Sequence, residues 1–360
     1  MRLSTRVARC WGGIISTLGL LLGLLGPATP AAAASFVVTS TTDAAQTSGA
    51  NGNCTSTLAG GVCTLRAAIQ AASYLAANGQ PRPHAIFLQA AGTYLLTLGQ
   101  LSIDSVSLGI ENTSGGSIAI DGNHAVRVFA VGLAGTAQVT MAGVTTRNGA
   151  AFDGAGVLVA AGSTLALLNA TVSGNKSTLS GSSPGLGGIV GGGIRVDSSA
   201  TVTLINSTVS GNSTEAIGGG IYSDGTLTLT DSTVSGNSAL DTTGLHTICN
   251  GCGGGIFVDG GTATLTNATI SGNSAVNQGG GIVGFGSSST VTLSNSTVSG
   301  NSAADVGGGI SSSSGMLALS NTTISGNSAI RGGGLFNVGT ATLTNATVSG
   351  NSATALVLQP

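Results

Sequence analysis

The sequence predicts an all-β solenoid, a right-handed parallel β-helix closed at its N-terminal end by one amphipathic helix. Three observations predict it. A Ser-Gly-Asn element recurs, ending at Asn175, Asn212, Asn237, Asn273, Asn301, Asn327 and Asn351, in steps of 37, 25, 36, 28, 26 and 24 residues. A period in the twenties marks a stacked-repeat architecture. Between these elements apolar residues alternate with threonine, as in Thr226-Leu-Thr-Leu-Thr230 and Thr262-Ala-Thr-Leu-Thr266, which is the period of two that belongs to strands. Gly, Asp-Gly or Asn then separates the runs, and that is turn chemistry. About three short runs fill each unit: one after Gly-Gly-Gly-Ile, one through Thr-Leu-Thr-Leu and one through Ser-Thr-Val-Ser-Gly-Asn. Stacked coil on coil at roughly 4.8 Å, they make parallel sheets around a common bore.

The alternation assigns directions. Leu227, Leu229 and Val234 point into the bore, in files with Leu204, Val209, Leu265, Ile270, Leu293, Val298, Leu319, Ile324, Leu343 and Val348. Each buried side chain of this kind is worth roughly 1.5–3 kcal/mol, so a stack is stable where a single coil is not. The seven Asn residues are expected to form a ladder at one corner, each amide bonding its counterpart in the next coil, because buried polar groups persist only when satisfied.

In chain order, Arg2, Arg6 and Arg9 precede an apolar run from Trp11 to Leu25, and Ala31–Ala34 supplies an A-x-A site. This reads as a secretory signal peptide over residues 1–34, cut near Ala34. The alternative, an uncleaved anchor, needs an apolar run nearer ~20 residues. The mature chain is therefore expected to be secreted or held at the cell surface, with no membrane span. Losing three Arg leaves seven basic against twelve acidic residues, a net charge near −5. No basic patch exists for nucleic acid. Low charge and high Gly and Ser would suit disorder, but mean hydropathy is positive and the pattern is periodic.

Cys54, Cys63, Cys249 and Cys252 remain, an even number in an exported chain. Three pairings are open, and proximity favours Cys54–Cys63 with Cys249–Cys252. His246-x-x-Cys249-x-x-Cys252 offers a metal only three nearby ligands, against a disulfide in an oxidising compartment. Residues 35–84 form the capping segment. Phe36–Thr42 reads as a strand and Leu65–Asn78 as a helix with Leu65, Ile69, Ala72, Leu75 and Ala76 on one face and Asn78-Gly79 as its stop. Such a helix shields the open strand edges of a first coil. Residues 85–153 form less regular coils, and 154–360 the regular repeat. The two long steps come from inserts, Thr178–Val190 and Leu240–Cys252, on the same corner, where a solenoid commonly binds partners. The C-terminal stretch shows no sortase-type motif, terminal hydrophobic anchor or autotransporter barrel. Thr354–Leu358 is expected to lid the last coil or to leave that end to pair with another molecule.

Cys63-Thr-Leu-Arg-Ala-Ala-Ile69, after Phe36-Val-Val-Thr and before Ile86-Phe-Leu and Gly92-Thr-Tyr94, resembles the CSLREA domain of bacterial exported proteins, departing at Ala67 where that family usually has Glu. Ile120-Asp-Gly-Asn123, Arg127-Val-Phe129 and the GGGI/SGNSA repeats resemble the β-helix surface proteins that follow such a domain. They are also similar to the repeats of polymorphic outer-membrane proteins. The resemblance implies a pectin-lyase-like solenoid and leaves the activity open.

Three function classes follow. The first is a non-catalytic surface or secreted protein of adhesin type, binding extracellular polysaccharide or a cell-surface protein through loops on one face. The second is a polysaccharide lyase or glycoside hydrolase, which needs clustered carboxylates or a Ca²⁺ site with a basic residue. Asp197, Asp224 and Asp259, each three residues after the Ile of GGGI, would stack in register and would need a cation to offset their repulsion. The alternative is that Asp224-Gly225 and Asp259-Gly260 are turn residues facing water. Asp121, His124 and Arg127 are the other candidate constellation, against Arg127 as a structural tie between coils. No cofactor is expected beyond that Ca²⁺. The third class is ice binding through outward Thr ranks such as Thr226, Thr228 and Thr230, although Thr is simply a good strand residue and Met316-x-Ala318 breaks the array. The Asn-x-Thr/Ser triplets at Asn206, Asn267, Asn295, Asn321 and Asn345 read as corner residues of the repeat, not as glycosylation acceptors.

Overall fold

The computed structural model describes residues 33–47, 52–80, 82–178, 189–241, 249 and 251–354. The chain is a right-handed parallel β-helix. Each regular coil lays down four strands, one more than the three runs legible in the sequence. In one coil these are Ile221–Ser223 in sheet 1, Thr226–Thr230 in sheet 2, Thr233–Ser235 in sheet 3 and Ser238–Ala239 in sheet 4. Among the described residues the four sheets hold nine, eleven, ten and eight strands respectively. The fourth strand escapes an alternation test because it is two residues long.

Register is kept coil after coil. Leu227 lies between Val202 and Ala263, Leu229 between Leu204 and Leu265, and Val234 between Val209 and Ile270, all fully buried in one continuous core. The files end at Leu343 and Val348, which are 44% and 49% exposed. No coil follows theirs among the described residues, so neither has a neighbour on that side. The tail after Thr354 lies outside those residues.

Two stacks of Asn hold two corners. At the inner one Asn237 Nδ2 donates to Asn273 Oδ1 at 2.9 Å and to the Val209 carbonyl at 3.0 Å, while its own Oδ1 accepts from Asn212 Nδ2 and the Asn212 amide, both at 3.0 Å. The pattern repeats from Asn175 to Asn351. At the outer one, between sheets 2 and 3, Asn206, Asp231, Asn267, Asn295, Asn321 and Asn345 take φ between 48° and 52°. Asn and Asp are the non-glycine residues that accept this left-handed turn most readily. That role accounts for the Asn-x-Thr/Ser triplets.

The triple glycine before sheet 1 has a steric cause. A Cβ on Gly219 would fall on the Ser238 carbonyl and 2.5 Å from Gly254 O. The chain folds back here over the middle residues of the sheet 1 strands that follow, as at Tyr222 and Phe257. Tyr222, Phe257 and Val283, which alternate with the bore-facing residues, are therefore buried on the outside in a second apolar cluster with Ile217, Cys249 and Cys252. Tyr222 stacks on Phe257 with ring centroids 5.9 Å apart.

The N-terminal cap is built from β1 (Ser35–Val38), α1 (Leu65–Ala77) and the Cys54–Cys63 disulfide. β1 is shorter than the run to Thr42 and pairs in parallel with β2 (His84–Leu88), the next strand of sheet 2. Thr64 caps α1, accepting from the Ala67 amide, and Asn78 closes it. Leu65, Ile69, Ala72 and Ala76 face the core as the periodicity requires. Ala67 is fully buried, so a Glu there would bring a charge into the packed face of α1 and would need a partner. Arg66 makes a two-pronged ion pair with Asp43 and also donates to the Gly99 and Gln100 carbonyls. This tie clamps α1 to the turn between β3 (Gly92–Leu95) and β4 (Leu101–Ile103), the first strand of sheet 1.

Candidate functional site

Part of the charge of the body forms a network along sheet 1 and the turns on either side of it. Arg127 donates to the Asp153 carboxylate and carbonyl and to Gln100 Oε1. Arg195 donates to Asp153 Oδ2 at 2.6 Å and to Asp197 Oδ1 at 2.7 Å. Val196, Ser223 and Val258 are register partners, so Asp197, Asp224 and Asp259, one residue on, stack along the axis at about the strand spacing of 4.8 Å. Tyr222 donates its hydroxyl to Asp259 Oδ2 at 2.9 Å.

The electrostatics follow from burial and this stacking. Burial pushes the Asp224 carboxyl up, and the Asp259 charge adds to that push; Arg195 opposes it and Asp197 reinforces it. Burial, then Asp259 and Asp224, hold the Tyr222 hydroxyl far above its ordinary range. Burial lowers Arg127, with Asp153 only partly offsetting it, while at Arg195 the pull of burial is outweighed by Asp197 and Asp153. Asp224 and Asp259 are thus half-buried members of a network, which corrects the picture of turn residues facing water. Among the described residues no group of three or more His, Cys, Asp or Glu is arranged to hold a metal ion.

Asp121, His124 and Arg127 are not brought together. Asp121 is buried and accepts from Arg147 Nε and Asn148 Nδ2, both at 2.8 Å, and from the Asn123 amide. Burial would raise its carboxyl, but these donors hold it below the ordinary range. His124 is exposed with φ 53°, and Arg127 turns to Asp153. Cys249 and Cys252 form a disulfide, so their sulfurs are not thiolate ligands. His246 and most of both inserts lie outside the described residues.

The opposite character marks the outer faces of sheets 2 and 3. Thr201, Thr226, Thr262 and Thr290 stand in one column and Thr203, Thr228, Thr264 and Thr292 in the next, before Met316 and Ala318 interrupt both. Thr342 continues the second column. On sheet 3 the pairs Thr208 and Ser210, Thr233 and Ser235, Thr269 and Ser271, and Thr297 and Ser299 are likewise in register. No strand of these two faces carries a charged residue from Thr164 onward.

Asp153, Arg195 and Tyr222 belong to the network although motif reading missed them. Aligning the repeats by column would have exposed two of them, since Arg195 and Tyr222 occupy the same outward position one coil apart.

Coil, ladder and sheet order define a parallel β-helix of stacked repeats. Residues 190–359 match the family model described as right handed beta helix region. A solved structure titled crystal structure of pectate lyase Pel9A is similar with a TM-score of 0.46 at 11% identity, covering 87% of this chain and 79% of that one. No curated protein matches. Among the described residues no helix is long and apolar enough to cross a membrane.

Proposed function

We propose that this chain is an exported, non-catalytic β-helix of adhesin type that binds neutral polysaccharide along the hydroxyl face of sheets 2 and 3. The observation that carries the reading is the in-register, uncharged Thr and Ser array. A polymer of repeating hydroxyls meets a repeating row of donors and acceptors, and many weak bonds on one rigid surface add through effective concentration. The charged groups of sheet 1 are turned to one another, which suits a scaffold better than a reaction centre. Two disulfides accord with an oxidising compartment.

A lyase or hydrolase is the second reading, favoured by one observation: Asp224 is pushed toward its protonated form between two further carboxylates, as a general acid would be. The test is a screen of the mature protein against insoluble and soluble polysaccharides, with and without Ca²⁺, following retention and product release. Retention without products, lost in a Thr228→Lys/Thr264→Lys variant, supports the binding reading. Reducing or unsaturated ends, abolished by Asp224→Asn, would replace it with the enzyme.

A further inference from the structure

We infer that the cavity between the cap helix and the first strand of sheet 1 is a binding site for a short neutral oligosaccharide. The inference rests on the glycan reading above and adds a second, separate site to it. The cavity has a volume of about 570 Å³, within the span of small-ligand pockets.

Its walls come from two elements that the cap clamps together. Arg66, Ile69, Gln70 and Ser73 share one face of α1 by their spacing of three and four residues. Opposite lies β4, an edge strand whose one partner is the strand Phe129–Val131. Leu101 N bonds toward that partner and Ile103 O accepts from it. The alternation of a parallel ladder then turns the Ser102 N–H and C=O away from it, into the cavity. Ile69 and Leu101 supply an apolar floor, and Asp104 closes one side.

The polar groups are half committed, and the remainder suits hydroxyls. Gln70 Oε1 accepts from the Gln46 amide at 2.7 Å, which leaves its NH₂ to donate. Asp104 Oδ1 accepts from the Ala134 amide, which leaves Oδ2 to accept. Ser73 adds a hydroxyl able to do both. Neighbouring hydroxyls of a sugar ring each carry a donor and an acceptor, and this set answers them in both senses.

Charge narrows the class further. Arg66, the one cation in the lining among the described residues, commits four of its five donors to Asp43 and to the Gly99 and Gln100 carbonyls. Among the described residues no other cation lines the cavity to balance an acidic sugar, and Asp104 would repel one. Neutral sugars fit; uronates do not.

The test is titration calorimetry of the full mature protein with cellotriose, xylotriose, mannotriose and galactotriose, and with trigalacturonate as the acidic probe. At least one neutral trisaccharide is expected to bind. Ser73→Trp, which puts an indole ring into the cavity, should weaken it by about tenfold or more; Gln70→Ala should weaken it less, and Thr228→Lys/Thr264→Lys should leave it unchanged. A thermal melt of Ser73→Trp checks the fold, and Gln70→Ala serves if that variant fails. Retention on insoluble polymer should survive Ser73→Trp and fall with the threonine variant, so failure of the cavity and failure of the hydroxyl face read separately. Silence of all four neutral probes, preference for trigalacturonate, or binding indifferent to both Ser73→Trp and Gln70→Ala overturns the inference.

Discussion

Replacing Asn237 by alanine tests how the stack is held. Asn237 is 1% exposed and its side chain takes part in four hydrogen bonds. Truncation orphans the Asn212 amide N–H, at about 1–3 kcal/mol, and removes one of two bonds at the Val209 carbonyl, which keeps the ladder bond its register with Val234 provides, at about 0.5–1.5 kcal/mol. Asn212 Nδ2 and Asn273 Oδ1 keep one bond each, to the Val172 carbonyl and the Asn237 amide. The total is about 3 kcal/mol. Because each coil touches only its neighbours, the loss should be local, so the assay is native-state hydrogen exchange resolved by residue. Amides of the coils bearing Asn212 and Asn237 should exchange about a hundredfold faster, while α1 is unaffected. The control is Asn321→Ala at the outer corner, where exposed amide bonds of 3.1 and 3.3 Å are lost and alanine must adopt φ near 48°, a cost of about 1–2 kcal/mol. Equal effects of the two substitutions would refute the claim that the inner ladder, and not Asn as a turn residue, locks the coils.

Gly219→Ala should destabilise far more than Gly211→Ala, as compared by urea midpoints: the first drives a Cβ into backbone carbonyls, whereas the second meets no atom and costs only its positive φ. Reducing Cys54–Cys63, which closes a short loop, should loosen the cap by about 2–3 kcal/mol, read as earlier proteolysis of β1 and α1. Burial alone would raise Asp43, but the Arg66, Thr97 and Leu98 donors bring it below its ordinary value. Its stabilising share is therefore present above the unfolded carboxylate pKa and lost as pH falls through the lower folded value. An acid titration of stability should show this step, and Asp43→Asn should remove it. Asp224 has the opposite sign. Its folded pKa is raised by burial first and then by the Asp259 charge, so stability declines as pH rises from the unfolded value through the folded one. Asp224→Asn should accordingly stabilise at pH 7 and not at pH 3, measured by melting temperature.

The sequence by itself determined the solenoid, because period-two alternation and a repeated Ser-Gly-Asn corner are local signals with one geometric solution when stacked. It likewise placed the helix Leu65–Ala77, whose apolar spacing and Asn78-Gly79 stop are local too. The fourth strand was not legible, since two residues of Ser-Ala carry no period. The second apolar cluster was hidden for another reason: Tyr222 and Phe257 look like outward strand residues until the glycine fold-back covers them. The candidate sites depended most on tertiary structure. Asp121, His124 and Arg127 are close in sequence, yet a coil turns them to different neighbours. Arg127, Asp153, Arg195 and Tyr222 are far apart in sequence and meet because register brings successive coils one strand spacing apart. Charge pairing between coils is set by that stacking, which no single repeat encodes.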